Sequence, residues 1–129
     1  MPKYVLDGSD DLALVTSDLL RTGFSAEADT ANGVIVLKLQ GELDMATAPG
    51  LGQALNRALD ARPTTLRLDL TELGFLDSTG IRVLIGGCRR AGAQGCAFVL
   101  RSPSRSVMKA LKLTGVDRLM EIEGSRPGH

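Results

Sequence analysis

The chain has 129 residues, 43% of them hydrophobic but only 3% aromatic and none of them Trp, so one domain with a core of Leu, Val, Ile and Ala is expected. Its 15 Lys and Arg balance 15 Asp and Glu, which leaves no basic excess for nucleic acid or a membrane surface. No apolar run approaches the roughly 18 residues of a membrane span, and Met1-Pro2-Lys3-Tyr4 is followed by acids rather than an apolar signal core, so a soluble cytoplasmic protein is expected.

Residues 1–20 read as an N-terminal extension packed loosely on the domain. Asp7, Asp10 and Asp11 break its pattern, and Leu12 to Leu20 suits either a short helix or a strand. The domain itself is expected over residues 21–123. Phe24, Ala26 and Ala28 alternate with Ser25, Glu27 and Asp29, the period-2 signature of a first strand. Asn32-Gly33 is a hairpin turn signal, because both positions tolerate positive φ. Val34 to Leu39 returns as a second, more buried strand.

Gly41-Glu42-Leu43-Asp44 then leaves the sheet, and Thr47 is placed to cap a helix whose first turn carries Pro49. Ala48, Leu51, Leu55, Ala58 and Leu59 form its apolar face. Gly50 and Gly52 weaken its start, each at a cost of about 1 kcal/mol against Ala. Arg62-Pro63 ends it. Leu66, Leu68 and Leu70 alternate with Arg67, Asp69 and Thr71, a third strand.

The second helix is expected from Ser78 to about Ala91, with Ile81, Leu84, Ile85 and Cys88 on one face and an interruption at Gly86-Gly87. Gly92 and Gly95 make a turn before a strand from Cys96 to Leu100. Ser102-Pro103 repeats the cap-then-Pro pattern. Val107, Ala110, Leu111 and Thr114 share a face of a third helix, and Gly115 suits its C′ position. A short strand around Leu119 to Ile122 closes the domain, and residues 124–129 have the composition of a flexible tail. The order β-β-α-β-α-β-α-β implies an α/β fold, with a mixed, mostly parallel sheet and crossover helices packed on it.

Asp77-Ser78-Thr79-Gly80 stands where a strand gives way to a helix. Backbone N–H groups lack partners there and the dipole favours negative charge, so hydroxyls at this place suit a phosphate. Taken alone, the four residues are also an ordinary helix cap with Ser78 at the N-cap. Chemistry of other kinds finds little support. The single His129 is the last residue, there is no Gly-x-Ser-x-Gly elbow, and no Lys carries a nucleophile motif. Gly86-Gly87 has no Walker Lys. Cys88 and Cys96 match no zinc or redox spacing and read as small buried hydrophobes. Asp44 and Asp77 are placed to approach one another across loops, although two solvated loop acids are the plainer reading. No catalytic residue, metal or cofactor is expected.

The whole array resembles the STAS domain of bacterial anti-sigma factor antagonists. Gly41-Glu42-Leu43-Asp44 is similar to that family's Gly-Glu-hydrophobic-Asp signature. Leu73 to Gly80 resembles its phosphorylation loop, and Leu113-Thr114-Gly115-Val116 the end of its third helix. The resemblance implies a partner switch. The unmodified protein binds an anti-sigma factor that is also a serine kinase, and a sigma factor is released. The kinase, with its own ATP and Mg²⁺, then modifies the serine that Ser78 matches, with Thr79 as the alternative acceptor. A serine phosphatase resets the switch. Partner contacts are implied for Asp44, Asp77, Thr79, Gly80 and Arg82, and weak homodimerisation is left open. Arg82 stands where relatives carry a second Gly; at i+4 from Ser78 it suits either a clamp on a phosphate or a solvated contact to the partner. The alternative from a different class is a structural or sensory STAS scaffold module of a stress-signalling complex.

Overall fold

In the computed structural model residues 23–124 are described. The extension expected over residues 1–20 and the tail after Gly124 lie outside them. Strand β1 (Phe24–Ala31) and strand β2 (Val34–Leu43) form the hairpin, turned at Asn32 and Gly33, both at positive φ (53° and 79°). Helix α1 (Ala48–Asp60), strand β3 (Thr65–Leu76), helix α2 (Ser78–Ala93), strand β4 (Ala97–Arg101), helix α3 (Arg105–Leu113), a 3₁₀ turn (Val116–Arg118) and strand β5 (Glu121–Glu123) follow. The five strands lie in the order β1-β2-β3-β4-β5. β1 runs antiparallel to β2 and every later neighbour pair is parallel, which is the mixed, mostly parallel sheet the sequence implies.

One face of the sheet makes the core. Ile35, Leu37 and Leu39 of β2, Leu66, Leu68 and Leu70 of β3, and Phe98 and Leu100 of β4 are all buried there against the helices. Their alternation with Lys38, Arg67, Asp69 and Arg101 sets the opposite face, where Arg67 pairs with Glu123 at 2.7 Å. Among the described residues no helix is long and apolar enough to cross a membrane.

Four local expectations are corrected. Helix α2 runs unbroken through Gly86 and Gly87. A Cβ on Gly87 would stand 2.8 Å from Leu55 Cδ1, so this glycine lets α1 and α2 pack closely rather than breaking the helix. Strand β3 continues six residues past Leu70, to Leu76. Its regular alternation is lost because the β2–β3 register shifts twice, between Lys38 and Gln40 and between Gly41 and Glu42. Ser104, not Ser102, caps α3 by accepting from Val107 N at 3.3 Å, while Ser102 sits at positive φ. The last strand begins only at Glu121, because the 3₁₀ turn takes up the preceding residues and leaves Leu119 63% exposed. Gly115 does take the left-handed position after α3 (φ 78°), as its C′ role requires.

Candidate functional site

Two parallel strands end side by side at Leu43 and Leu76, and each is followed by an aspartate: Asp44 opens the turn that leads into α1, and Asp77 starts α2 directly. Asp77 donates its backbone N–H to the Leu43 carbonyl at 3.0 Å, which holds the two exits together. Asp44 and Asp77 are therefore neighbours through their backbones, and both are half-buried rather than freely solvated.

Each carboxylate ties down its own turn. Asp77 Oδ1 accepts from Thr79 N at 2.9 Å, Gly80 N at 3.1 Å and the Thr79 hydroxyl at 2.5 Å. Asp77 is thus the N-cap of α2, and Ser78 is the first helical residue, not the cap that the sequence suggested. The Thr79 hydroxyl, then the Gly80 N–H, holds the Asp77 carboxyl below its ordinary value. Asp44 Oδ1 accepts from Ala46 N at 2.9 Å and Thr47 N at 3.1 Å. The Thr47 hydroxyl does not cap α1: it donates to Glu42 O at 2.7 Å and accepts from Asp44 N at 2.9 Å, bracing the strand exit instead.

The residues singled out in the sequence fall into distinct roles. Ser78 is exposed, and its hydroxyl makes no hydrogen bond among the described residues. Thr79 is half-buried with its hydroxyl engaged. Gly80 is buried; a Cβ there would meet Leu76 Cδ1 at 2.7 Å and Leu43 Cβ at 3.0 Å. Its bare Cα seats α2 against the two strand ends. Arg82 is exposed one turn beyond Ser78. Sequence reasoning missed two apolar side chains on this rim, Met45 at 77% and Phe75 at 47% exposure. Phe75 sits inside the Leu73–Gly80 stretch and Met45 directly follows Gly41-Glu42-Leu43-Asp44, motifs otherwise read for their polar residues. Ser106 Oγ donates to Gly74 O at 3.3 Å, which ties the start of α3 to the same rim.

The cysteines stand apart from this site. Cys96 is buried, whereas Cys88 is only half-buried, with Sγ 3.8 Å from Leu119 O. Burial pushes both thiols above their usual range, so neither is poised as a nucleophile.

The STAS domain family profile matches residues 25–126. The chain belongs to the STAS-domain family. It is 31% identical over 91 residues to the anti-sigma-F factor antagonist RsfB of Mycobacterium tuberculosis, covering 70% of this chain and 74% of that protein. It is 32% identical over 97 residues to the anti-sigma-B factor antagonist of Listeria monocytogenes, covering 75% and 83%. Among solved structures, an anti-sigma factor antagonist from Mycobacterium paratuberculosis superposes with a TM-score of 0.71 at 28% identity, over 77% of this STAS chain and 84% of the other.

Proposed function

We propose that this STAS protein is an anti-sigma factor antagonist that binds an anti-sigma factor/serine kinase in its unphosphorylated form, releases the sigma factor, and is switched off by phosphorylation at Ser78. Its relatives are named antagonists of anti-sigma factors. The observation that carries the site assignment is the contrast between two adjacent hydroxyls: Ser78 is exposed and makes no hydrogen bond among the described residues, whereas Thr79 is tied to the Asp77 carboxylate.

The physics of the switch follows from that position. A phosphate brings about −1.5 to −2 charges and three acceptor oxygens. On the first residue of α2 it meets the favourable end of the helix dipole, worth roughly 0.3–1 kcal/mol at an exposed site. The fold has no reason to open. The change falls on the partner, which faces Asp77 and the phosphate together on a rim that otherwise offers Met45 and Phe75. The apolar rim attracts, and the added charge repels and desolvates poorly. ATP and Mg²⁺ belong to the kinase, and a serine phosphatase restores the binding form.

The test is incubation of the chain with anti-sigma kinases encoded in the same genome, ATP and Mg²⁺, followed by phosphosite mapping. Label on Ser78 that disappears in Ser78→Ala is expected. Label on Thr79 that persists in Ser78→Ala would overturn the assignment. Absence of any anti-sigma partner, with large homo-assemblies instead, would favour the scaffold alternative.

A further inference from the structure

Helix α3 presents two opposed faces. Val107 and Leu111 are buried in the core. On the outer side Arg105, Met108, Lys109, Lys112 and Leu113 fall at i, i+3, i+4, i+7 and i+8, one continuous stripe. They line an open cleft of about 300 Å³. Leu113 is 77% exposed. The three cations make no ion pair among the described residues, and α3 contains no acid to balance them. A cationic stripe around a half-buried Met108 and an exposed Leu113 fits an acidic segment that carries apolar residues.

This chain contains such a segment. Before Gly23 lie Asp7, Asp10, Asp11 and Asp18 against only Lys3 and Arg21, and Asp10-Asp11 are followed by Leu12, Leu14 and Val15. The end of the described chain also lies within reach. Gly23 O accepts from Glu42 N at 3.2 Å, Gly41 pairs with Leu73, and Gly74 O accepts from Ser106 at the start of α3. Gly23 is therefore two strand spacings, roughly 10 Å, from the strand against which α3 begins. Twelve residues, the span from Asp11 to Gly23, reach about 40 Å when extended.

We infer that the segment around Asp10 to Val15 docks in cis on the outer stripe of α3, with its carboxylates at Arg105, Lys109 and Lys112 and its apolar side chains on Met108 and Leu113. This inference stands apart from the role of Ser78. The full chain, treated with a zero-length carbodiimide cross-linker and mapped by mass spectrometry, tests it. Asp69 and Lys38, register partners on β3 and β2, serve as the internal control. The expected result is an amide between Asp10 or Asp11 and Lys109 or Lys112 within monomeric chains. It should weaken several-fold at about 1 M salt, where the Debye length is near 3 Å. It should vanish in Lys109→Glu/Lys112→Glu and return with reversed polarity when Asp10→Lys/Asp11→Lys is added. A control link with none from Asp7, Asp10 or Asp11 to α3 overturns the inference, as do links found only in covalent dimers.

Discussion

The backbone N–H of Asp77 and the carbonyl of Leu43 meet at 3.0 Å, and this one bond sets the relation between the two loops of the site. It joins the exit of β2 to the exit of β3, so the turn braced by Asp44 and Thr47 lies beside the turn capped by Asp77. The rim that carries Met45, Phe75 and Ser78 is consequently held by backbone geometry, and a change at Ser78 acts on a prepared surface.

Ser78→Asp should separate stability from binding. A carboxylate on the first helical residue faces the positive end of the dipole, so the variant should melt near wild type. A charge beside Asp77 within an interface is costly. Affinity for the anti-sigma partner should fall about tenfold or more, equivalent to 1.4 kcal/mol. Ser78→Ala should bind and resist phosphorylation. Paired thermal melts and calorimetric titrations check both halves.

Asp77 gives the fold a pH dependence. Its folded pKa lies below the unfolded one, so its contribution is present above the ordinary value of 3.8 and is lost as pH falls through the depressed folded value. Asp77→Ala should melt below wild type at neutral pH, because the Thr79 and Gly80 N–H groups lose their acceptor. The gap should narrow on acidification. Melting curves of both proteins across that range read it; a gap that stays constant or widens contradicts the capping role.

The glycines should respond in opposite senses. Gly86 is exposed in mid-helix, and apart from its own stretch of helix backbone nothing among the described residues lies within 4 Å of where a Cβ would stand, so Gly86→Ala should stabilise by roughly 0.5–1 kcal/mol. Gly80→Ala gains the same propensity but drives a methyl into Leu43 and Leu76, and overpacking of about 1–3 kcal/mol should make the net effect destabilising. Gly41→Ala should be worst, since its Cβ would fall 1.9 Å from Gly23 O at a φ of 109°. Denaturant midpoints rank the three.

Arg82 is exposed one turn from Ser78. A guanidinium that reaches the phosphate lowers its second pKa, so that pKa, followed by phosphorus NMR, should rise in phosphorylated Arg82→Ala. An unchanged value assigns Arg82 to solvent or partner.

The order of elements was legible because Leu66, Leu68 and Leu70, and Ala48 through Leu59, follow their periods cleanly. The far end of β3 was not, because two register shifts against β2 disturb the alternation just where the strand approaches the site. Gly86-Gly87 misled for a related reason: propensity counts the cost of a glycine, whereas the benefit lies in the approach of Leu55, a tertiary contact. At the site, Asp77-Ser78 offered two cap residues in a row, and only the hydrogen bonds decide that the aspartate caps and the serine is the first helical residue. Met45 and Phe75 carried no periodic signal, since they stand in turns and at a strand end where exposure is set by the fold.

Whether a phosphate on Ser78 switches the partner off is read by titrating the anti-sigma partner with the unmodified chain and with the chain phosphorylated at Ser78. The first should bind tightly and the second about tenfold or more weakly, with both forms equally folded, since 1.4 kcal/mol at the interface suffices for that change. Equal affinity of the two forms would contradict the switch.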